Sequence, residues 1–130
     1  SFHLVKGVTE YFDLLKKQAI PFTIASASIK ENIDFFVEHF HLDRWMDPEK
    51  IVYDNGSYAS KEKMFLDAAK LLDCDIQEIL IFEDSLAGIH HAYEAGCRKI
   101  IVVCPKEKEE TFKALPGVIQ TIQDFSEMMK

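Results

Sequence analysis

Two adjacent carboxylates, Glu83 and Asp84, follow the apolar run ILIF and precede a helix-forming stretch; together these make ILIFEDSLAGIHHAYEAG, residues 79–96. Anions where a buried strand meets a helix can act as a cap or as ligands for a cation. Asp84 suits the N-cap position, where a side-chain oxygen accepts a free helix N–H. Capping leaves Glu83 unexplained. Neighbouring strand residues point to opposite faces, so the pair does not automatically share one ligand sphere. A hard cation such as Mg²⁺ tolerates this. It takes one or two carboxylates, several waters and phosphate oxygens. One carboxylate can bind directly while the other acts through water or orients a neighbour.

Two other stretches carry polar groups at comparable places. Ser26-Ala27-Ser28 follows the β-rich run PFTIA after Pro21. Ser28-Ile-Lys-Glu31 reads as a capping box, which leaves the Ser26 hydroxyl without a structural task. A strand end followed by a helix N-terminus offers free N–H groups and a positive dipole end, a setting suited to phosphate. In Ser60-Lys61-Glu62-Lys63, two lysines in a helix's first turn oppose the macrodipole. A lysine pointing back over the strand ends toward an anion would explain them. Taken singly, a small loop serine and two solvated lysines are the simpler accounts. Taken together, a hydroxyl with backbone N–H groups, a lysine and a carboxylate pair for Mg²⁺ describe a phosphoryl-group site.

The elements that must position these groups alternate. Val8, Tyr11, Phe12, Leu14 and Leu15 form a helical stripe that Thr9 can cap. A second helix shows Ile33, Phe36, Val37 and Phe40 on one face. Residues 51–53 read as a short strand closed by the turn Asp54-Asn55-Gly56-Ser57. Ser60 can cap a third helix with Met64, Phe65, Ala68, Leu71 and Leu72 on its stripe. A fourth helix follows Asp84, with Leu86, Ile89 and Tyr93 as its buried face. Gly88 and Ala92 allow close approach to the sheet, and Gly96 is a C-cap glycine. KIIVVC at 99–104 is a strand, Val118 to Ile122 an edge strand, and Asp124 caps a terminal turn. FTIA, ILIF and IIVV are continuously apolar, as expected of strands buried on both faces of a parallel α/β sheet sandwiched by helices. In such sheets ligands bind beyond the carboxyl ends of the strands.

A chain of 130 residues, 48% apolar and 28% charged, suits one globular domain spanning 1–130. Its net charge of −7 argues against nucleic-acid and membrane-surface partners. Cys74, Cys97 and Cys104 show no CxxC spacing and suggest reduced thiols in the cytoplasm. His39, His41, His90 and His91 lack zinc-ligand spacing and read as helix-surface residues.

FTIASAS, the lysine before MFLDAAKLL, and ILIFEDSLAGIHHAYEAG resemble motifs II, III and IV of the haloacid dehalogenase superfamily. The branch is similar to the β-phosphoglucomutases and sugar phosphatases. The resemblance runs from about Val5 to the C-terminus, and FEDSLAGI is its most specific part. It implies a Rossmann-like core and Mg²⁺-dependent phosphoryl transfer through an aspartyl-phosphate, on a small phosphorylated metabolite. Carried over, Ser26 and the Ala27 N–H would hold the transferring phosphoryl oxygens. Lys61 would offset charge there, Asp84 would bind Mg²⁺ with Glu83 beside it, and Ser28 and Lys30 would lie near the substrate's phosphate.

Two departures matter. Phe65 follows Lys61 by only four residues, and Glu62 stands where that branch often has proline, so Lys63 is a second candidate lysine. The family's nucleophile and its acid/base form a D-x-D motif at the end of a first strand. This chain's sole D-x-D, Asp73-Cys-Asp75, lies in the turn before ILIF. Residues 1–7 look like the return from the family's helical cap. The chain therefore reads as an incomplete core, expected to be inactive alone, with the first strand missing between residues 22–26 and 79–83. A preceding segment, another chain or a rearranged strand is expected to cover those edges. The alternatives are a phosphomutase, a receiver-like signalling domain, and a phosphate- and Mg²⁺-binding domain without turnover.

Overall fold

The computed structural model describes residues 4–56 and 60–129. Five α-helices are present among these residues: α1 (Val8–Lys17), α2 (Lys30–Phe40), α3 (Lys61–Leu71), α4 (Leu86–Ala95) and α5 (Glu109–Lys113). Three strands, β1 (Ile81–Glu83), β2 (Ile100–Val103) and β3 (Val118–Ile122), form a parallel sheet in the order β1-β2-β3. In register, Ile81 opposes Ile100 and Glu83 opposes Val102. Between β2 and β3 the ladder slips between Ile100 and Ile101, then pairs Val103 with Ile122.

β2 carries the centre of the core. Ile100, Ile101 and Val102 are almost wholly buried. Their alternation feeds two layers, as the period of a strand requires. Ile81, Ile100 and Val102 pack with Phe65 of α3, Ile89 and Ala92 of α4, and Phe112 of α5. Ile101 and Ile122 pack on the other face with Val8 and Tyr11 of α1 and Phe125. Tyr11, Phe82 and Phe125 meet there, with ring centroids 4.9–5.6 Å apart. The expected helix–sheet–helix sandwich is thus the observed one.

A third cluster of Ile33, Leu42, Met46 and Ile51 lies under α2 and joins the second through Phe12. Here residues 22–26 and 51–53 are extended but make a single parallel bridge, Ala25 to Val52. It is supported by Ser26 N–H to Val52 O at 2.8 Å and Val52 N–H to Ile24 O at 2.9 Å. Two full strands were expected. Two hydrogen bonds are what these short segments sustain, since each is paired on one side only among the described residues. β1 likewise pairs only with β2. No rearranged strand lies between 22–26 and β1 among the described residues.

Several helix boundaries differ from expectation. α1 begins after Gly7, leaving Thr9 inside it. α2 begins at Lys30 with Ile29 at the N-cap and no side-chain cap, so the Ser28–Glu31 box does not form. The loop is pinned instead: Ser28 N–H donates to Ser26 Oγ at 3.1 Å, and Ser28 O accepts Asp54 N–H at 3.1 Å. Ser60 holds the N-cap position of α3 without a side-chain bond. On α3 the buried residues are Met64, Phe65 and Ala69, while Leu71 is exposed. On α4, Leu86 is exposed, and Gly88, Ile89 and Ala92 are buried. Gly96 ends α4 in the left-handed region, at φ 112°, as a C-cap glycine does. Asp54 Oδ1 accepts Gly56 N–H at 2.9 Å, forming the expected turn, whose Ser57 lies outside the described residues. Asp124 accepts Ser126 N–H at 2.9 Å, starting the C-terminal turn.

Candidate active site

The end of β1 is built around a buried charge. Glu83 is 8% exposed. Its Oε2 meets Lys61 Nζ at 2.8 Å, and its Oε1 accepts Asp84 N–H at 3.1 Å. A buried carboxylate is tolerated when it is paired and hydrogen-bonded, and both oxygens of Glu83 are engaged. The helix above leaves room for it. A Cβ placed on Gly88 would fall 2.1 Å from the Glu83 carboxylate carbon. Gly88 therefore serves close approach to the sheet, as the sequence suggests, and the group approached is the carboxylate of Glu83. A glycine inside a helix is locally unfavourable, and that was the available signal.

Asp84 does not cap α4. The N-cap is Ser85, whose hydroxyl accepts Gly88 N–H at 3.0 Å. The Asp84 side chain is exposed at the strand end. The sequence assigned the cap one residue too early, because Asp and Ser are nearly equal as N-caps and only the start of the helix distinguishes them.

Between the two candidate lysines the geometry is plain. Lys61 turns to Glu83, with Nζ 5.4 Å from the centroid of the Phe65 ring. Lys63 turns along α3 to Asp67 at 2.9 Å. Lys30 pairs with Asp34 at 2.9 Å along α2, and that carboxylate, by hydrogen bond and charge, holds the Lys30 ammonium above the usual lysine range. Lys30 is thus at the loop end but engaged on its own helix. Ser26 is half-buried, and its hydroxyl accepts the Ser28 N–H. A hydroxyl that accepts keeps its own proton to donate. The Ala27 N–H has no protein acceptor among the described residues. Asp73 and Asp75 sit before β1, at the opposite end from Asp84; Asp75 accepts Gln77 N–H at 3.0 Å.

No group of three or more His, Cys, Asp and Glu side chains arranged to hold a metal ion is found among the described residues. Asp84 fits a mode in which one carboxylate shares a hard cation with water and substrate oxygens.

A family model described as haloacid dehalogenase-like hydrolase matches residues 1–102. The chain belongs to the haloacid dehalogenase-like hydrolases. Its fold superimposes on a HAD hydrolase, family IA, variant 3, from Entamoeba histolytica, with TM-score 0.89 and 32% identity, covering 95% of this chain and 56% of that one. A candidate β-phosphoglucomutase from Thermotoga maritima shares the fold, with TM-score 0.74 and 19% identity, covering 90% of this chain and 54% of that one. A bifunctional riboflavin kinase/FMN phosphatase of Arabidopsis thaliana is 26% identical over 122 residues, 91% of this chain and 31% of its own length. The chain thus spans a third to little more than half of these relatives. The three-layer, Rossmann-like α/β assignment holds. No helix among the described residues is long and apolar enough to cross a membrane.

Proposed function

We propose that this chain carries the phosphoryl- and metal-binding part of a Mg²⁺-dependent phosphomonoesterase acting on a small phosphorylated metabolite. The observation that supports it most is the Lys61–Glu83 pair at 2.8 Å beside the exposed Asp84. In this reading Asp84 holds the cation, and Glu83, already engaged, positions Lys61 rather than ligating. Lys61 supplies positive charge to a phosphoryl group, and the Ser26 hydroxyl and Ala27 N–H donate to its oxygens. The uncapped start of α2 adds its dipole. Mg²⁺, when bound, neutralises phosphate charge and orients the group for displacement. The nucleophilic and acid/base aspartates belong to a strand outside these residues, which would also cover the open edges of β1 and 22–26. A mutase would differ only in the acceptor of the phosphoryl group.

The test is titration of the 130-residue chain with inorganic phosphate, with and without Mg²⁺, followed by amide NMR. Mg²⁺-dependent shifts at Ser26, Ala27 and Asp84 are expected, with affinity falling at least about tenfold in Asp84→Asn. Unchanged binding in that variant overturns the metal role. Phosphate release from esters by these residues alone is expected to be absent, and robust turnover would mean that the nucleophile has been misplaced.

A further inference from the structure

The short spacing between Lys61 and Phe65 brings a ring to the site lysine. Both residues lie on α3, four positions apart, and so share one face of the helix. Helical side chains lean toward the N-terminus, so the Phe65 ring tilts back over the first turn, toward Lys61. Lys61 Nζ lies 5.4 Å from the ring centroid, within the reach of about 6 Å over which a ring face attracts a cation. The same nitrogen is 2.8 Å from Glu83 Oε2. A carboxylate and a ring thus attract one ammonium. Local forces oppose it: Lys61 is the first residue of α3, Ser60 makes no side-chain cap bond, and the positive end of the helix dipole repels a cation there.

We propose that Phe65 is a positioning residue: its ring face, together with Glu83, fixes the Lys61 ammonium at the C-terminal end of β1. The residue four positions on separates Lys61 from the other lysines that start helices. Lys30 is followed by Asp34 and Lys63 by Asp67, and each pairs along its own helix at 2.9 Å. An acid at that place draws the ammonium down the helix surface. A ring at that place attracts the cation without taking its hydrogen bonds, which leaves the ammonium's donors for Glu83 and for a phosphoryl group. The ring is a firm support, because Phe65 is buried in the cluster of Ile81, Ile89 and Ala92. Glu83 is firm as well, with Oε1 accepting Asp84 N–H. The flexible member is the lysine stem, and two fixed groups determine where its head rests.

The inference rests on Lys61 being the amine of the phosphoryl site, but its test uses neither phosphate nor metal, so either can fail while the other stands. The experiment replaces Phe65, at that position alone, with a phenylalanine carrying fluorine on its para and both meta carbons. Such a ring nearly keeps its shape but loses the negative charge of its face. In denaturant unfolding of the 130-residue chain, fluorination is expected to lower the folding equilibrium constant about threefold more with Lys61 present than in Lys61→Met. A ring that only packs responds equally in both backgrounds. The second measurement is NMR and needs no lysine variant. The Lys61 ε-methylene protons are expected upfield of those of the other lysines, shielded by the ring face, and fluorination is expected to move them back toward the others. An equal response in the two backgrounds, or ε-protons that stay in place on fluorination, overturns the proposal.

Discussion

Glu83 is buried with both oxygens engaged, and two substitutions probe how firmly it is held. Gly88→Ala would place a methyl 2.1 Å from its carboxylate carbon. Carboxylate or helix must then move, and a loss of about 2–3 kcal/mol is expected by chemical denaturation. Ala87→Gly, on the exposed side of the same turn, is expected to cost only about 1 kcal/mol. Lys61→Met strands the buried charge. Breaking a buried pair costs about 3–5 kcal/mol, and because the Lys61 side chain is 26% exposed, solvent reduces this to about 2 kcal/mol. Adding Glu83→Gln to Lys61→Met is expected to recover more than half of the loss. If the double variant is no more stable than Lys61→Met, the pair is not what holds Glu83 buried.

The helix starts differ in whether a side chain caps them. Ser85 caps α4 through Gly88 N–H, whereas α2 begins without a side-chain cap. Ser85→Ala is therefore expected to cost about 1 kcal/mol. Ser28→Ala is expected to stay within about 0.5 kcal/mol, although the sequence pattern assigns it a capping box. Equal losses in thermal melts would mean that the box forms after all. The strands show a similar division. IIVV could be read directly, because an unbroken apolar run fits a strand covered on both faces. FTIA and residues 51–53 have similar composition but hold one bridge. Strand propensity describes fit to a half-buried surface, and a surface with no neighbour on one side sustains little ladder.

Across the whole molecule, two of the three thiols are sealed in the core. Cys97 and Cys104 are buried, and burial pushes both thiols up, while Cys74 is exposed. Iodoacetamide is therefore expected to label Cys74 in the native chain and the other two only on unfolding, as read by mass spectrometry. Early labelling of Cys97 would mean that the α4–β2 core opens readily. Burial also raises the Tyr11 hydroxyl. The sign follows from the folded state holding these protons more tightly than the unfolded chain does. Their contribution is complete below the ordinary thiol range, about 8.5, and declines as pH rises through the folded values. Denaturation midpoints are therefore expected to fall as pH rises above about 8.5.

The amino-acid order alone was enough to show the alternation of elements, the two-faced burial of β2 and the carboxylates at the end of β1, because periodicity and apolar runs are local properties. It also pointed to Ser26, Ala27, Ser28, Lys30, Lys61 or Lys63, Glu83 and Asp84 as candidate site residues. Folding in three dimensions settled which lysine meets Glu83, that Ser85 rather than Asp84 caps α4, and that Gly88 makes room for a carboxylate. These depend on contacts between residues such as Lys61 and Glu83, 22 positions apart. Side-chain reach and helix phase decide such contacts, and no local pattern records them.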